Sequence, residues 1–243
     1  ENATEQDLEL VFSFHSRNFM ETDPQSSSIL PLDSRGFILH QDASEEAPEN
    51  LGDLAVFIDG KPIVDHGWFK GAWRDAVTLV WNSIEDGAPV DNPPLEGPSP
   101  GASLAVPFRL AAGGTHTIPL LLAWYVPKTN MRLGRDADPA DRCGDPTCCG
   151  ADETFVPWYA SRFKDLQDVA RYWRTHYAQL RPSTALFTDT FYDSTLPPDV
   201  VAAVAANLPI LKSPTVLRAR LGRLWAFEGC NDDGGCCPMN CTH

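Results

Sequence analysis

No apolar run in this chain approaches the ~20 residues needed to cross a bilayer, and no basic, apolar, small-residue leader opens it. The first residue is Glu1 rather than methionine, so an upstream segment is expected to be missing. On these absences the reading favours a cytoplasmic setting and leaves membrane contact open. Basic residues are scarce, 19 Lys and Arg against 33 Asp and Glu, for a net charge of -14. That balance excludes nucleic acid as the main partner, because phosphate binding relies on clustered cations. A solvated acidic surface accounts for it. Nucleophile-elbow, Walker, zinc-protease and dinucleotide-binding motifs are all missing, and there is no internal repeat. Hydrophobic residues at 43% and charged residues at 21% nevertheless describe a chain able to bury a core.

The seven cysteines fall into two clusters, Cys143, Cys148 and Cys149, then Cys230, Cys236, Cys237 and Cys241. An odd count leaves at least one unpaired if the rest bridge within the chain. Paired C-x2-C units are absent, so a structural metal site has weak support and no metal is assigned. Disulfides and free thiols both remain compatible with the spacing.

The first two-thirds read as β-rich. Leu8, Leu10, Phe12 and Phe14 alternate as one buried face of a strand, and residues 56–58 run into a tight turn at Asp59-Gly60. Alternation over 104–110, a break at Gly113-Gly114 and alternation over 118–124 predict an antiparallel hairpin closed off by Pro127. A helix is expected over 75–86, with Gly87 as its stop, and a surface loop over 88–102. From 162 to 181 the apolar spacing becomes helical. Pro182 is expected to interrupt that helix, with 184–192 resuming it. Ser194 and Thr195 before Pro197-Pro198 read as the N-cap of a largely buried helix over 199–208. A second hairpin, 214–220 with 224–227, delivers Glu228 and Gly229 into a Gly- and Cys-rich loop. These patterns give a multidomain β + α chain: an antiparallel β-sandwich over 1–155, then a helical region over 156–243.

A carboxylate set just after an aromatic-rich strand and followed by glycine can project from a rigid support into a cavity. Glycosidases require such a group at the anomeric carbon. Composition alone favours a solvated loop residue for Glu228. The motifs around it carry more. Trp158-Tyr159-Ala160-Ser161-Arg162-Phe163, Tyr192-Asp193-Ser194-Thr195-Leu196-Pro197, Leu211-Lys212-Ser213-Pro214-Thr215, Phe227-Glu228-Gly229-Cys230 and Asn240-Cys241-Thr242-His243 stand in this order. Together with Phe108-Arg109-Leu110 and Ala123-Trp124-Tyr125-Val126-Pro127, they resemble glycoside hydrolase family 116, the non-lysosomal glucosylceramidases and bacterial β-glucosidases. The resemblance runs from about Leu104 to His243.

It implies an N-terminal β-sandwich followed by the first helices of an incomplete (α/α)6 catalytic barrel. Glu228 would be the nucleophile, and His243 would face the sugar, although some members carry an Asp where this chain has Cys241. The acid/base Asp would lie beyond His243, so this piece is expected to be inactive alone and to need the remainder of the barrel. Substrates would be β-glucosides or glucosylceramide, with no cofactor. Asp193 is expected only to bond to the start of the following helix. Two further readings stand beside this one: a non-catalytic carbohydrate-binding or scaffolding β-sandwich, with tryptophans as stacking platforms, and a cysteine-built metal site.

Overall fold

The structure is a computed structural model and describes residues 1–33, 35–71, 75–129 and 156–212, then 216–218, 220, 222, 224–226, 230–231 and 235–236. It divides into two compact units, Glu1–Val126 and Pro127–His243.

In the first unit, β1 (Leu8–Arg17), β5 (Ile63–Asp65) and β6 (Gly101–Leu110) form a three-stranded sheet in the order β1-β6-β5. A four-stranded sheet has the order β2-β3-β4-β7, from β2 (Ser27–Leu32), β3 (Gly36–Gln41), β4 (Gly52–Ile58) and β7 (Leu120–Tyr125). All pairings are antiparallel. The two sheets share one apolar layer. Phe37, Leu39, Leu54 and Val56 from the larger sheet meet Val64, Ala102 and Leu104 from the smaller, with Phe12 and Phe14 packed against them. Successive strand residues face opposite ways, and the register aligns Phe14, Leu104 and Val64 across the smaller sheet. The β-rich reading therefore resolves into a sandwich. In β1 only Phe12 and Phe14 reach the core, while Leu10 stays exposed.

The expected 104–110/118–124 hairpin does not form. β6 pairs with β1 and β5, whereas β7 pairs with β4 in the other sheet. Alternation marks a strand with one buried face and cannot name its partner. The nine residues 111–119 easily cross the ~10 Å between packed sheets, turning at Gly113, whose φ is 65°. Helix α1 (Ala76–Glu85) is as expected. The Asp75 carboxylate accepts from the Val77 amide at 3.1 Å, and Gly87 follows at φ 61°. Its apolar face is exposed at Val77, Trp81 and Ile84. The 88–102 stretch is a mostly exposed loop, as expected, with exceptions towards its end and at Asn92. Its last two residues begin β6, Ser99 is buried, and Asn92 bridges to Asp65 as an added strand position.

In the second unit, α2 (Leu166–Tyr192) runs straight through Pro182. Proline removes one backbone donor. The hydroxyls of Ser183 and Thr184 donate to the carbonyls of Gln179 and Leu180 at 2.9 and 3.0 Å, adding bonds in the affected turn. At its start, Asp165 accepts from the Asp168 amide while the Asp168 carboxylate accepts from the Lys164 amide, a reciprocal cap. Helix α3 (Pro198–Asn207) has Pro197 at its N-cap and no side-chain cap. Ser194 instead accepts from the Leu196 amide at 3.2 Å. Asp193 closes α2, its amide donating to Asp189, and does not bond to the start of α3. Nor is α3 largely buried: only Val201 is, with Val200, Val204 and Leu208 exposed. The hairpin before Glu228 is found, β8 (Val216–Arg218) against β9 (Leu224–Ala226), with Gly222 at φ 88° in its turn. A further short pair, β10 (Cys230–Asn231) and β11 (Gly235–Cys236), sets the backbones of Cys230 and Cys236 opposite each other. Among the described residues no helix is long and apolar enough to cross a membrane.

Two outcomes follow from the sandwich. A Cβ at Gly36 would collide with the Val56 carbonyl and lie 2.8 Å from the Phe57 Cα, both backbone atoms that cannot yield. Gly36→Ala should cost about 2–3 kcal/mol in denaturant unfolding; a neutral result would contradict the β3–β4 approach.

The second outcome concerns His40. Its Nδ1 lies 2.6 Å from Asp53 and its Nε2 3.0 Å from Asp42, and the bond to Asp53 holds its pKa above the ordinary histidine value. This stabilisation is complete below about pH 6.5 and fades as pH rises through the higher folded pKa. His15 acts oppositely. Burial lowers its pKa despite Asp65 nearby, so it favours unfolding as pH falls below about 6.5. Wild type compared with His40→Asn isolates the first effect: the stability gap between them should shrink as pH rises.

Candidate functional site

The route to position 228 is built in the second unit. The segment before α2 places Trp158 with its backbone amide donating to the Arg218 carbonyl at 2.8 Å. The Arg218 guanidinium lies over the Trp158 ring, 3.9 Å from its centroid, and Arg162 lies at 5.4 Å. A cation over an indole face is favourable by about 0.5–2 kcal/mol according to how dry the contact is. Strand β8 is thus fastened to the Trp158 segment through both backbone and side chain. Its partner β9 ends at Ala226, two residues before the candidate carboxylate. The Ser161 hydroxyl and amide close a turn back onto the Trp158 carbonyl, holding the tryptophan at a fixed point.

Glu228, His243 and Cys241 lie outside the described residues. The side chains of Cys230 and Cys236 do as well, so nothing in the geometry bears on cysteine pairing or on a cysteine-held metal. Among the described residues, no three or more His, Cys, Asp or Glu side chains are placed to hold a metal ion. Asp193 lines a shallow cavity with Thr195, Leu196 and Val204.

Trp158 and Arg162 stand in the sequence motifs, but the tie of Trp158 to Arg218 was not foreseen, because the position of Arg218 in the chain gives no hint of it. Sequence reasoning also missed a polar layer in the first unit. His15, Ser103 and Asp65 stand side by side on the outward face of the three-stranded sheet. Ser103 receives the Trp68 indole N–H at 2.7 Å and pairs with His15 Nδ1 at 2.8 Å. The Trp68 ring rests on Gly101, where a Cβ would come within 2.6 Å of it. Three polar residues among alternating apolar ones read simply as the solvent face of a strand, so the cover over them was not foreseeable.

Trp158→Ala should lower unfolding stability by about 1–2 kcal/mol and accelerate amide exchange in β8 and β9. Trp158→Tyr should recover part of both effects. Unchanged exchange in the alanine variant would show that the hairpin stands without this contact.

A family model described as beta-glucosidase 2, glycosyl-hydrolase family 116 N-term, matches residues 1–180. The match begins at the first residue, so it takes in the stretch before Leu104 that the sequence motifs left uncovered, and it ends within α2. A search of curated proteins returned no match. With about three-quarters of its length covered by that family model, the chain belongs to glycosyl-hydrolase family 116 and carries its β-rich N-terminal domain.

Proposed function

We propose that this chain forms the N-terminal sandwich, residues 1–155, and the first part of an (α/α)6 catalytic domain, residues 156–243, of a retaining β-glycosidase acting on β-glucosides. Glucosylceramide is the lipid-linked form of that substrate. Glu228 is the nucleophile. It attacks the anomeric carbon as the glycosidic C–O bond breaks, giving a covalent glycosyl-enzyme. A second carboxylic acid protonates the leaving oxygen, then acts as base on the water that releases the sugar. That acid is an Asp not contained in these 243 residues. His243 contacts the sugar, and the chemistry needs no metal or organic cofactor.

The observation that supports this reading most is the fastened hairpin. A nucleophile must sit at a fixed distance from the anomeric carbon, about 5–5.5 Å from its partner carboxyl in retaining enzymes. Two residues of chain, about 7 Å at most, separate Ala226 from position 228. A support tied to Trp158 at 2.8 Å on the backbone is the kind of rigid base such a group requires. Family membership supplies the reaction class.

In the intact enzyme, Glu228→Gln should abolish turnover of an aryl β-glucoside by several orders of magnitude while leaving unfolding unchanged. Glu228→Gly should regain turnover with added azide, yielding a glycosyl azide of inverted configuration. The 243-residue chain alone should show no turnover. Full activity in Glu228→Gln would remove the assignment, and turnover by the chain alone would mean that the acid lies within it.

A further inference from the structure

A second place in the molecule has the makings of a ligand site, independent of Glu228. A cavity of about 250 Å³ lies between α1 and the outward face of the three-stranded sheet, lined among others by Asp65, Trp68, Phe69, Val80, Ser83 and Asn92. The β-sandwich core is on the opposite face of that sheet, so the cavity is no part of the core packing.

Its polar wall is held in place from behind. Asp65 is buried, and its Oδ1 accepts from the Gly67 amide at 3.0 Å and from Asn92 Nδ2 at 3.1 Å. Asn92 is fixed in turn by backbone bonds to Val64 and His66 at 3.3 and 3.1 Å. These bonds use one carboxylate oxygen and the amide nitrogen. Asp65 Oδ2 and Asn92 Oδ1 make no hydrogen bond among the described residues, so two acceptors remain available. Trp68 is pinned through its indole N–H to Ser103 at 2.7 Å and cannot swing away. Phe69 is half-exposed, and Val80 continues an apolar wall from the helix.

We propose that this cavity binds a single neutral pyranose unit, an accessory carbohydrate site on the N-terminal domain. Hydroxyl groups are the donors that a carboxylate and an amide oxygen call for. The C–H face of a pyranose suits an aromatic and aliphatic wall. The volume falls below the about 300 Å³ at which pockets begin to take larger ligands, so one ring is the limit. An anionic ligand is disfavoured because Asp65 lies in the wall and, among the described residues, no basic side chain lines it.

The test is a calorimetric titration of the 243-residue chain with methyl β-D-glucopyranoside, repeated on four variants. Ser83→Leu fills the cavity from a helix position whose hydroxyl only bonds the Val80 carbonyl within α1. It should weaken binding at least about tenfold, as should Asp65→Asn, which removes the charged acceptor. Trp81→Ala, on the exposed side of α1, and Glu228→Gln should bind as wild type does. Unfolding curves identify any variant that has lost its fold, and Ser83→Leu carries the test if Asp65→Asn proves unstable. The proposal is overturned if wild type shows no saturable binding, if Ser83→Leu binds undiminished, or if tetramethylammonium occupies the cavity in place of the sugar. Binding that survives Ser83→Leu and vanishes in Glu228→Gln would also overturn it while leaving the catalytic reading intact.

Discussion

One shared apolar layer between two sheets sets the terms for the whole N-terminal unit. Phe37, Leu39, Leu54 and Val56 face Val64, Ala102 and Leu104, and burial of this kind contributes roughly 1.5–3 kcal/mol for each large side chain. Because strand residues alternate, committing these positions inward commits their neighbours outward. That is how His15, Ser103 and Asp65 come to stand in a row on the far side of the smaller sheet. Polar groups under cover must find partners or lose stability. Ser103 and Asp65 do so through the Trp68 indole, the Gly67 amide and the Asn92 side chain. His15 does so only through Nδ1 to Ser103, its buried Nε2 having no partner among the described residues. Core and polar layer are two consequences of one register.

The second unit is organised differently. Its helices bury little: α2 hides Leu166 and Ala170, and α3 hides Val201, while Leu186, Phe187, Leu196 and Leu211 are exposed. Among the described residues before position 228, Trp158 is joined to Arg218 through one backbone bond and one cation over a ring. Such contacts fix direction more than they add stability. That division suits the proposed role of the segment, which is to aim a carboxylate.

Local signals in the sequence were legible where the physics is local. Asp75 and Gly87 bracket α1 because capping needs an acceptor at one end and a positive φ at the other. The hairpin of β8 and β9 was visible from two short runs, 214–220 and 224–227, around the Leu221-Gly222-Arg223 turn. Pairing was not legible. Alternation over 104–110 and 118–124 is satisfied equally by a hairpin or by strands in opposite sheets, and only the shared core decides between them. Pro182 was misleading for a related reason: nearby hydroxyls of Ser183 and Thr184 bond within the turn it disturbs, and proline alone does not advertise that. For the candidate site, family membership could be read from the motifs, whereas the Trp158–Arg218 tie joins residues too far apart in sequence for any pattern to reveal.

The central claim is that the residue two beyond β9 performs the nucleophilic attack. Covalent labelling tests it most directly, because only a group that bonds the anomeric carbon is trapped. Intact enzyme treated with a 2-deoxy-2-fluoro-β-glucosyl fluoride, digested and mapped by mass spectrometry, should carry one fluoroglucosyl group on Glu228. A label on any other carboxylate, with Glu228 unmodified after full inactivation, would contradict the account.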